Sequence, residues 1–595
     1  MNKIDVIVLI TYLLGMVAMG AVFSKIKSTK DMFNAGGQSP WWLSGISAFM
    51  TAFSAGTFVV WGGIAYTSGA VAISILTVLG ISALLAGKFL AGRWKSFGYD
   101  SAAEFLTDRF GRSIVQFYTL LQGLVGVFTM GGAIYALSVI ICTLIPMPEG
   151  NFLADPATGN FSVSIASIIL CVIIILISSG GGLWAVLVTD AVQFIILLVS
   201  VIAVVPLMFN RVGGVDAFIN KVPEGYFKLV NSEFSMLFLV GWVIIYFFKF
   251  GGEWGFIQRF SCVPTPKDAR KSSYMFGILY IVSPVIWMLP PMLFRTINPS
   301  VDPEQAYIMA CKLVLPAGML GLMIAAMCSA TASMVTAYLN VYAGAFTTEF
   351  YHSIFRKNAS EKELVMVGRV LTILLGGIAM AGAFVIPSWG TYTGYVLSSV
   401  ALLSGPMILP TIWGIFSKKL NLKSAWGITF ISTVIILLLK FGFQKEGVLS
   451  AFSGLAGIIN TLNEDERVFE LVVGILVPLA MLVVSELTST QVDPGWLKIN
   501  AHKERKIGAE EVQPSHYPLK LCAISFLVVG LVVSLLSLVQ QEHFSFLLTF
   551  GIILLAAGGV LLLVYKKTIK EPVQQADDNE KYPADSVVGV EVLKK

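Results

Sequence analysis

The chain has 595 residues, 56% of them apolar and only 13% charged, with a mean hydropathy of +0.81. Soluble domains carry roughly 45–50% apolar and about 25% charged residues, so this balance excludes a soluble enzyme, a disordered chain and a fibrous one. The net charge of +5 is too small to suggest a nucleic-acid partner.

Runs of roughly twenty apolar residues, enough for a helix to cross a bilayer, recur along nearly the whole length. The first, Ile4 to Phe23, follows Lys3 and lacks a small-x-small cleavage site, so it reads as a retained span. Further spans are expected near 41–67, 70–92, 113–146, 163–180, 183–208, 234–258, 273–297, 317–351, 365–387, 390–416, 424–440, 468–487, 518–539 and 545–565, about fifteen in all. The Gly/Ser-rich stretch Gly447 to Leu462 reads as an external or re-entrant loop. Leu487 to Tyr517 is the longest polar insert, and Lys566 to Lys595 reads as a cytoplasmic tail. The expected fold class is an all-α polytopic membrane protein.

Lys and Arg collect in cytoplasmic connections. Of the 40 here, 30 fall in alternate connections, among them Lys25 to Lys30, Lys88 to Arg112 and Arg259 to Lys271; nine fall in the others, and Lys249 lies inside a span. This asymmetry predicts the N-terminus outside and the C-terminus in the cytoplasm. The plasma membrane, in a bacterium the inner membrane, is the expected location. The six cysteines lie mostly in apolar stretches with no paired spacing, and the four histidines lie in polar segments or at span ends. No disulfide frame, metal cluster or catalytic set emerges.

Polarity inside spans is costly and therefore informative. Two spans are interrupted by Gly, Ser or charge: Met50-Thr-Ala-Phe-Ser-Ala-Gly-Thr57 and Lys249-Phe-Gly-Gly-Glu253. They sit five spans apart in opposite orientation, the pattern of a transport site at the midplane of inverted repeats; close helix packing by small residues is the alternative. Lys249 and Glu253 are i, i+4 neighbours that either pair structurally or offer Lys249 to an anionic or hydroxyl-rich solute. Asp190 either supports a cation or interacts with its own helix dipole. The stretch Ala325 to Ser333 is rich in small and hydroxyl residues, whose oxygens suit sodium or join helices.

The motifs Phe33-Asn-Ala-Gly-Gly, Ser47-x-x-x-Thr-Ala-Phe-Ser54 with Gly63-x-Ala-Tyr66, Glu104-Phe-Leu-x-x-Arg-Phe110, Gly182-Leu-x-Ala-Val-x-x-Thr-Asp190-x-x-Gln193, Gly252-x-Trp-x-x-x-Gln-Arg259, and Ser333 with Leu339-Asn340 before Thr347-x-x-Phe-Tyr351 occur in that order. Together they resemble the sodium:solute symporter family over roughly residues 1–440. The resemblance implies a LeuT-type core of two inverted five-helix repeats: an extra helix and loop at 1–30, repeats at 31–210 and 211–420, further helices at 421–565 and the tail at 566–595. It also implies symport of a small organic solute (a sugar, an acidic sugar or an organic anion) driven by sodium, with alternating access.

Carried over by position, the sodium ligands would be the carbonyls of Met50, Phe53 and Ala330 and the hydroxyl of Ser333, with Asp190 nearby. The next family ligand, a hydroxyl, is here Met334, whose thioether suits a hard cation poorly. Thr331, water or Asp190 would have to substitute. Solute contacts would come from Gly56, Thr57, Lys249, Phe250, Glu253 and Trp254. Lys249 stands where sugar-carrying relatives place an aromatic gate, which favours an acidic solute. Trp61, Tyr66, Phe250 and Trp254 would stack on a sugar face or close the cavity. Proton coupling through Asp190, uncoupled transport and a membrane sensor are the competing readings; the lipid bilayer is the environment, and a monomer is the expectation.

Overall fold

The computed structural model describes residues 2–22, 29–148, 150–156, 158–385, 405–443, 466–506, 514–539 and 544–578. The expected span at 390–416 is therefore described only from 405. The 447–462 segment and the tail beyond 578 lie outside the described residues. Regular structure among the described residues is helical, with two isolated β-bridges, Pro146–Asn160 and Ala154–Phe161, in one loop.

In chain order the principal helices are α1 (Lys3–Val22), α2 (Trp41–Thr51), α3 (Gly62–Ser68), α4 (Val71–Ala86), α5 (Ala102–Phe110), α6 (Arg112–Thr143), α7 (Val163–Val212), α8 (Met236–Gly252), α9 (Trp254–Ser261), α10 (Pro266–Trp287), α11 (Met319–Phe346), α12 (Glu361–Val385), α13 (Leu422–Gly442), α14 (Glu466–Thr488), α15 (Pro494–Lys506), α16 (Tyr517–Val539) and α17 (Phe544–Asp578). Their starts follow local chemistry. The Ser101, Ser235 and Thr265 hydroxyls accept the free N–H groups of Glu104, Phe238 and Asp268, and Pro266 occupies a first-turn position where no N–H is needed. The 50-residue run of α7 turns at Gly182 (φ 54°, ψ −166°), between the two spans the sequence separates there.

Among the described residues nine helices are long and apolar enough to cross a membrane, or ten if α8 and α9, bent by 56° at their junction, form one span. The sequence reading of about fifteen also included broken and short spans. The 41–67 region divides into α2 and α3 around a break, and Val163–Leu176, Gly405–Phe416 and Val472–Thr488 are apolar but shorter.

The chain divides into two compact units, Met1–Pro514 and Ser515–Lys595. In the second, α16 and α17 pack against each other along their length. In the first, α11 is the centre: it is buried over nearly its whole length and packs on α1, α6, α7 and α12. A second group joins α2, α4, α8 and α10. Small residues let these backbones approach, as membrane helices require: a Cβ on Gly80 would meet the Gly277 carbonyl at 2.6 Å, and one on Gly277 the Gly80 carbonyl at 2.8 Å.

Candidate functional site

Breaking a helix in a membrane frees backbone groups that must find partners. At the first break, between α2 and the π-turn Thr57–Trp61 leading into α3, those partners come from other helices. Tyr280 of α10 donates its hydroxyl to the Ala52 carbonyl (3.1 Å), and the Ala55 N–H donates to Thr331 Oγ1 of α11 (2.9 Å). Within the break, Phe53 N donates to the Met50 carbonyl (3.1 Å) and Gly56 N to Ser54 Oγ (3.2 Å). Phe53 packs edge-on against Trp287, with ring centroids 4.3 Å apart. The break is a built feature with a fixed shape.

The second break lies at Glu253, whose backbone is extended (φ −74°, ψ 132°) between α8 and α9. Trp94 Nε1 donates to the Gly251 carbonyl at 2.7 Å, satisfying an acceptor near the end of α8. Lys249 Nζ lies 3.9 Å from Glu253 Oε2, and its ammonium sits 5.5 Å from the centroid of the Tyr246 ring. The other carboxylate oxygen of Glu253 accepts the Tyr338 hydroxyl of α11. The ion pair is long, and half of the carboxylate is committed elsewhere.

Between the breaks lies a cavity of about 120 Å³ lined by Ser54, Gly56, Thr57, Trp61, Lys249 and Phe250, together with Thr51, Thr129, Tyr246, Tyr280, Met334 and Tyr338. Gly56, Thr57, Lys249 and Phe250 are thus brought together. Trp254 instead lines a second cavity of about 250 Å³ with Asn34, Gln258 and Asn340, and Glu253 stands beside the first cavity without lining it. Of the aromatics singled out in the sequence, Trp61 and Phe250 face the first cavity, whereas Tyr66 donates to the Asn298 carbonyl (2.7 Å). Tyr246 and Tyr338 were not anticipated. Helical spacing offers the signal, since Tyr246 precedes Lys249 by three residues and Tyr338 follows Met334 by four.

Behind the first break, Asp190 of α7 is fully buried. Its Oδ2 accepts from Ser47 Oγ of α2 (2.5 Å), and its Oδ1 accepts from the Ser333 hydroxyl of α11. Met50 and Phe53 on one side and Ala330 and Ser333 on the other are all buried, and the Ala55–Thr331 and Ser47–Asp190–Ser333 bonds join their two segments. A buried carboxylate with hydroxyls and a broken backbone around it is a hard-oxygen donor set suited to a cation.

The model of the sodium:solute symporter family matches residues 32–431. The chain belongs to that family. Among curated relatives, sodium/glucose cotransporter 1 of Mus musculus is 25% identical over 567 residues, covering 85% of this chain and 82% of its own length. A sodium/sialic acid symporter of Aliivibrio fischeri is 27% identical over 455 residues, covering 71% and 85%. Sodium/myo-inositol cotransporter 2 of Oryctolagus cuniculus is 26% identical over 498 residues, covering 73% and 69%. The solved structure of a substrate-bound, outward-open Na+-coupled sialic acid symporter superposes with a TM-score of 0.64 at 21% identity, over 80% of this chain and 98% of that one. The fold is accordingly the LeuT-type arrangement expected from the motifs.

As a sodium:solute symporter the chain is a multi-pass membrane protein that moves a small solute with sodium as the coupling ion. Met334 lines the first cavity, and its soft thioether adds no hard ligand. Thr331 is engaged by the Ala55 N–H. The Ser333 hydroxyl donates to the carboxyl of Asp190.

Proposed function

We propose that this symporter carries a small organic anion, such as an acidic sugar, together with sodium into the cytoplasm. The observation that carries the reading is Lys249: a cation in the wall of the central cavity, 3.9 Å from a Glu253 that lies outside that wall and is shared with Tyr338. An ammonium only partly neutralised in a low-dielectric cavity attracts an anionic group far more than it would in water. Gly56 exposes backbone, Thr57 and Thr129 offer hydroxyls, and Trp61 and Phe250 offer faces to a ring. The sialic acid symporter among the relatives supports an acidic solute, while the glucose and inositol cotransporters support polyhydroxyl recognition in general.

Sodium would sit between the first break and α11, held by the carbonyls of Met50, Phe53 and Ala330 and the hydroxyl of Ser333, with Asp190 supplying the charge that Met334 does not. Bound there, it would hold the broken helix in the form that accepts solute, so each ligand raises the affinity of the other by the same factor. Inward movement of one sodium ion contributes about 2.3 kcal/mol per 100 mV of membrane potential. Residues 31–210 and 211–420 would form the two inverted repeats, and their rocking would expose the cavity alternately. The basic asymmetry of the connections supports a plasma-membrane orientation with the N-terminus outside and the C-terminus inside.

The test is thermal stabilisation of the purified protein by sugars, acidic sugars and carboxylates, each in sodium and in potassium. An acidic solute should raise Tm in sodium alone, and Lys249→Ala should erase its advantage over the matching neutral sugar. Equal stabilisation by neutral and acidic solutes in both proteins would reject the anionic assignment.

A further inference from the structure

The fully buried Arg259 of α9 has no carboxylate among its hydrogen-bond partners in the described residues. Its Nε donates to Ser47 Oγ (3.2 Å), its Nη1 donates to Gln258 Oε1 (2.5 Å), and its Nη2 is buried without a partner among the described residues. A buried guanidinium left to neutral groups is expensive. The nearby compensation is Asp190, one hydroxyl away: Ser47 accepts from Arg259 and donates to Asp190. On its other side, Gln258 Nε2 donates to the Phe33 carbonyl (2.5 Å) and to Asn340 Oδ1 (3.1 Å), and Asn340 Nδ2 donates to the Met32 carbonyl (3.3 Å). Phe33, Gln258 and Asn340 wall the second cavity. One guanidinium thus joins the carboxylate of the cation cluster to the Gln258 clasp in the wall of this cavity.

We propose that Arg259 is the positioning residue through which cation occupancy at Asp190 sets the closure of the Gln258 clasp. This rests on the cation binding beside Asp190. With no cation there, Arg259 balances the carboxylate through Ser47 and is drawn toward it. When a sodium ion arrives, the carboxylate serves two positive charges, the longer Arg259–Ser47 bond weakens, and the guanidinium is left to its short bond with Gln258, which holds the grip on Phe33 and Asn340. Loss of sodium reverses the shift and loosens the wall of the second cavity. Arginine suits this role because its planar fork bonds in two directions at once, which the point charge of lysine cannot do.

The experiment uses the full chain carrying Val341→Cys, a reporter in the wall of the second cavity; the six native cysteines are buried. Maleimide labelling rates and Tm are measured in sodium and in potassium, with Arg259→Lys and Arg259→Gln added in turn. Sodium should slow labelling by about fivefold or more, the lower end of ordinary coupling between sites. Both Arg259 variants should lose that slowing while sodium still raises Tm. Persistence of the slowing in either variant overturns the proposal, and so does loss of both responses together, which marks Arg259 as merely structural. If sodium fails to raise Tm even in the unsubstituted protein, the sodium site falls first and this proposal with it. Should the Arg259 variants not fold, Gln258→Met removes the acceptor of Arg259 on the clasp side and leaves the groups around Asp190 in place: loss of slowing with the Tm response retained supports the proposal, and any other result overturns it.

Discussion

Asp5 illustrates how much one side chain can settle. Its Oδ1 accepts the N–H groups of Gly318 (2.6 Å) and Gly321 (3.0 Å) at the start of α11, and its Oδ2 accepts the N–H of Asn2 (2.9 Å). The first helix therefore caps the central helix of the unit from a distance of over 300 residues in sequence. Asp5→Ala should lower stability by about 1–2 kcal/mol, because two buried donors lose their acceptor; a thermal melt of the purified protein checks this, and Asp5→Asn should recover part of the loss. At the cation cluster, Asp190→Asn keeps the size and the acceptor oxygen but removes the charge. It should abolish the rise in Tm that sodium produces, read by titrating sodium against Tm, and it should lower the melt in potassium as well, because the buried Arg259 loses its compensating charge.

At the scale of elements, the interrupted helices depend on neighbours for their shape. The bond from the Ala55 N–H to Thr331 Oγ1 ties the first break to α11. Thr331→Val preserves the volume and leaves that N–H buried without an acceptor, at a cost of about 1–3 kcal/mol. The loss should fall on the bound form of the break, so the sodium concentration giving half-maximal stabilisation should rise, whereas Thr331→Ser should restore it. The tight crossing of α4 and α10 makes a different demand. Gly277→Leu places a side chain where the Gly80 carbonyl and the Leu84 side chain each lie 2.8 Å from the new Cβ. Overpacking of this kind costs typically about 1–3 kcal/mol, and a lower Tm together with poorer recovery of folded protein from the membrane would register it.

At the scale of the whole molecule, Arg109 ties the family core to helices beyond the matched region. Its side chain is fully buried; Nη1 donates to Asp493 (2.7 Å), Nη2 to the Ser417 and Leu420 carbonyls (3.0 and 2.7 Å), and Nε to the Gly414 carbonyl (3.1 Å). Asp493 in turn leads into α15, which packs on α5, and Tyr99 stacks on His502 of α15 at 4.1 Å. Asp493→Ala would strand a buried guanidinium and should destabilise the protein by about 3 kcal/mol or more. Joint replacement of Arg109 and Asp493 by apolar residues of similar size should cost less than the single change, and a double-mutant cycle on Tm measures the difference.

The sequence by itself determined the membrane, the helical class, the family motifs and the positions of the two breaks. Long apolar runs admit only helices in hydrocarbon, and glycine, serine or charge inside such a run can only mean a cavity, a close contact or a bound partner. The resemblance to the family also put Gly56, Thr57, Lys249, Phe250, Glu253 and Trp254 on one list. What the sequence could not supply was the company each residue keeps. Nothing in local spacing says that Trp254, one residue beyond Glu253, turns to a different cavity, that Tyr338 shares Glu253 with Lys249, or that Ser47 stands between Asp190 and Arg259. Those pairings join helices far apart in the chain, and only tertiary packing fixes them. A buried polar group takes whichever partner the folded neighbours bring within bonding distance.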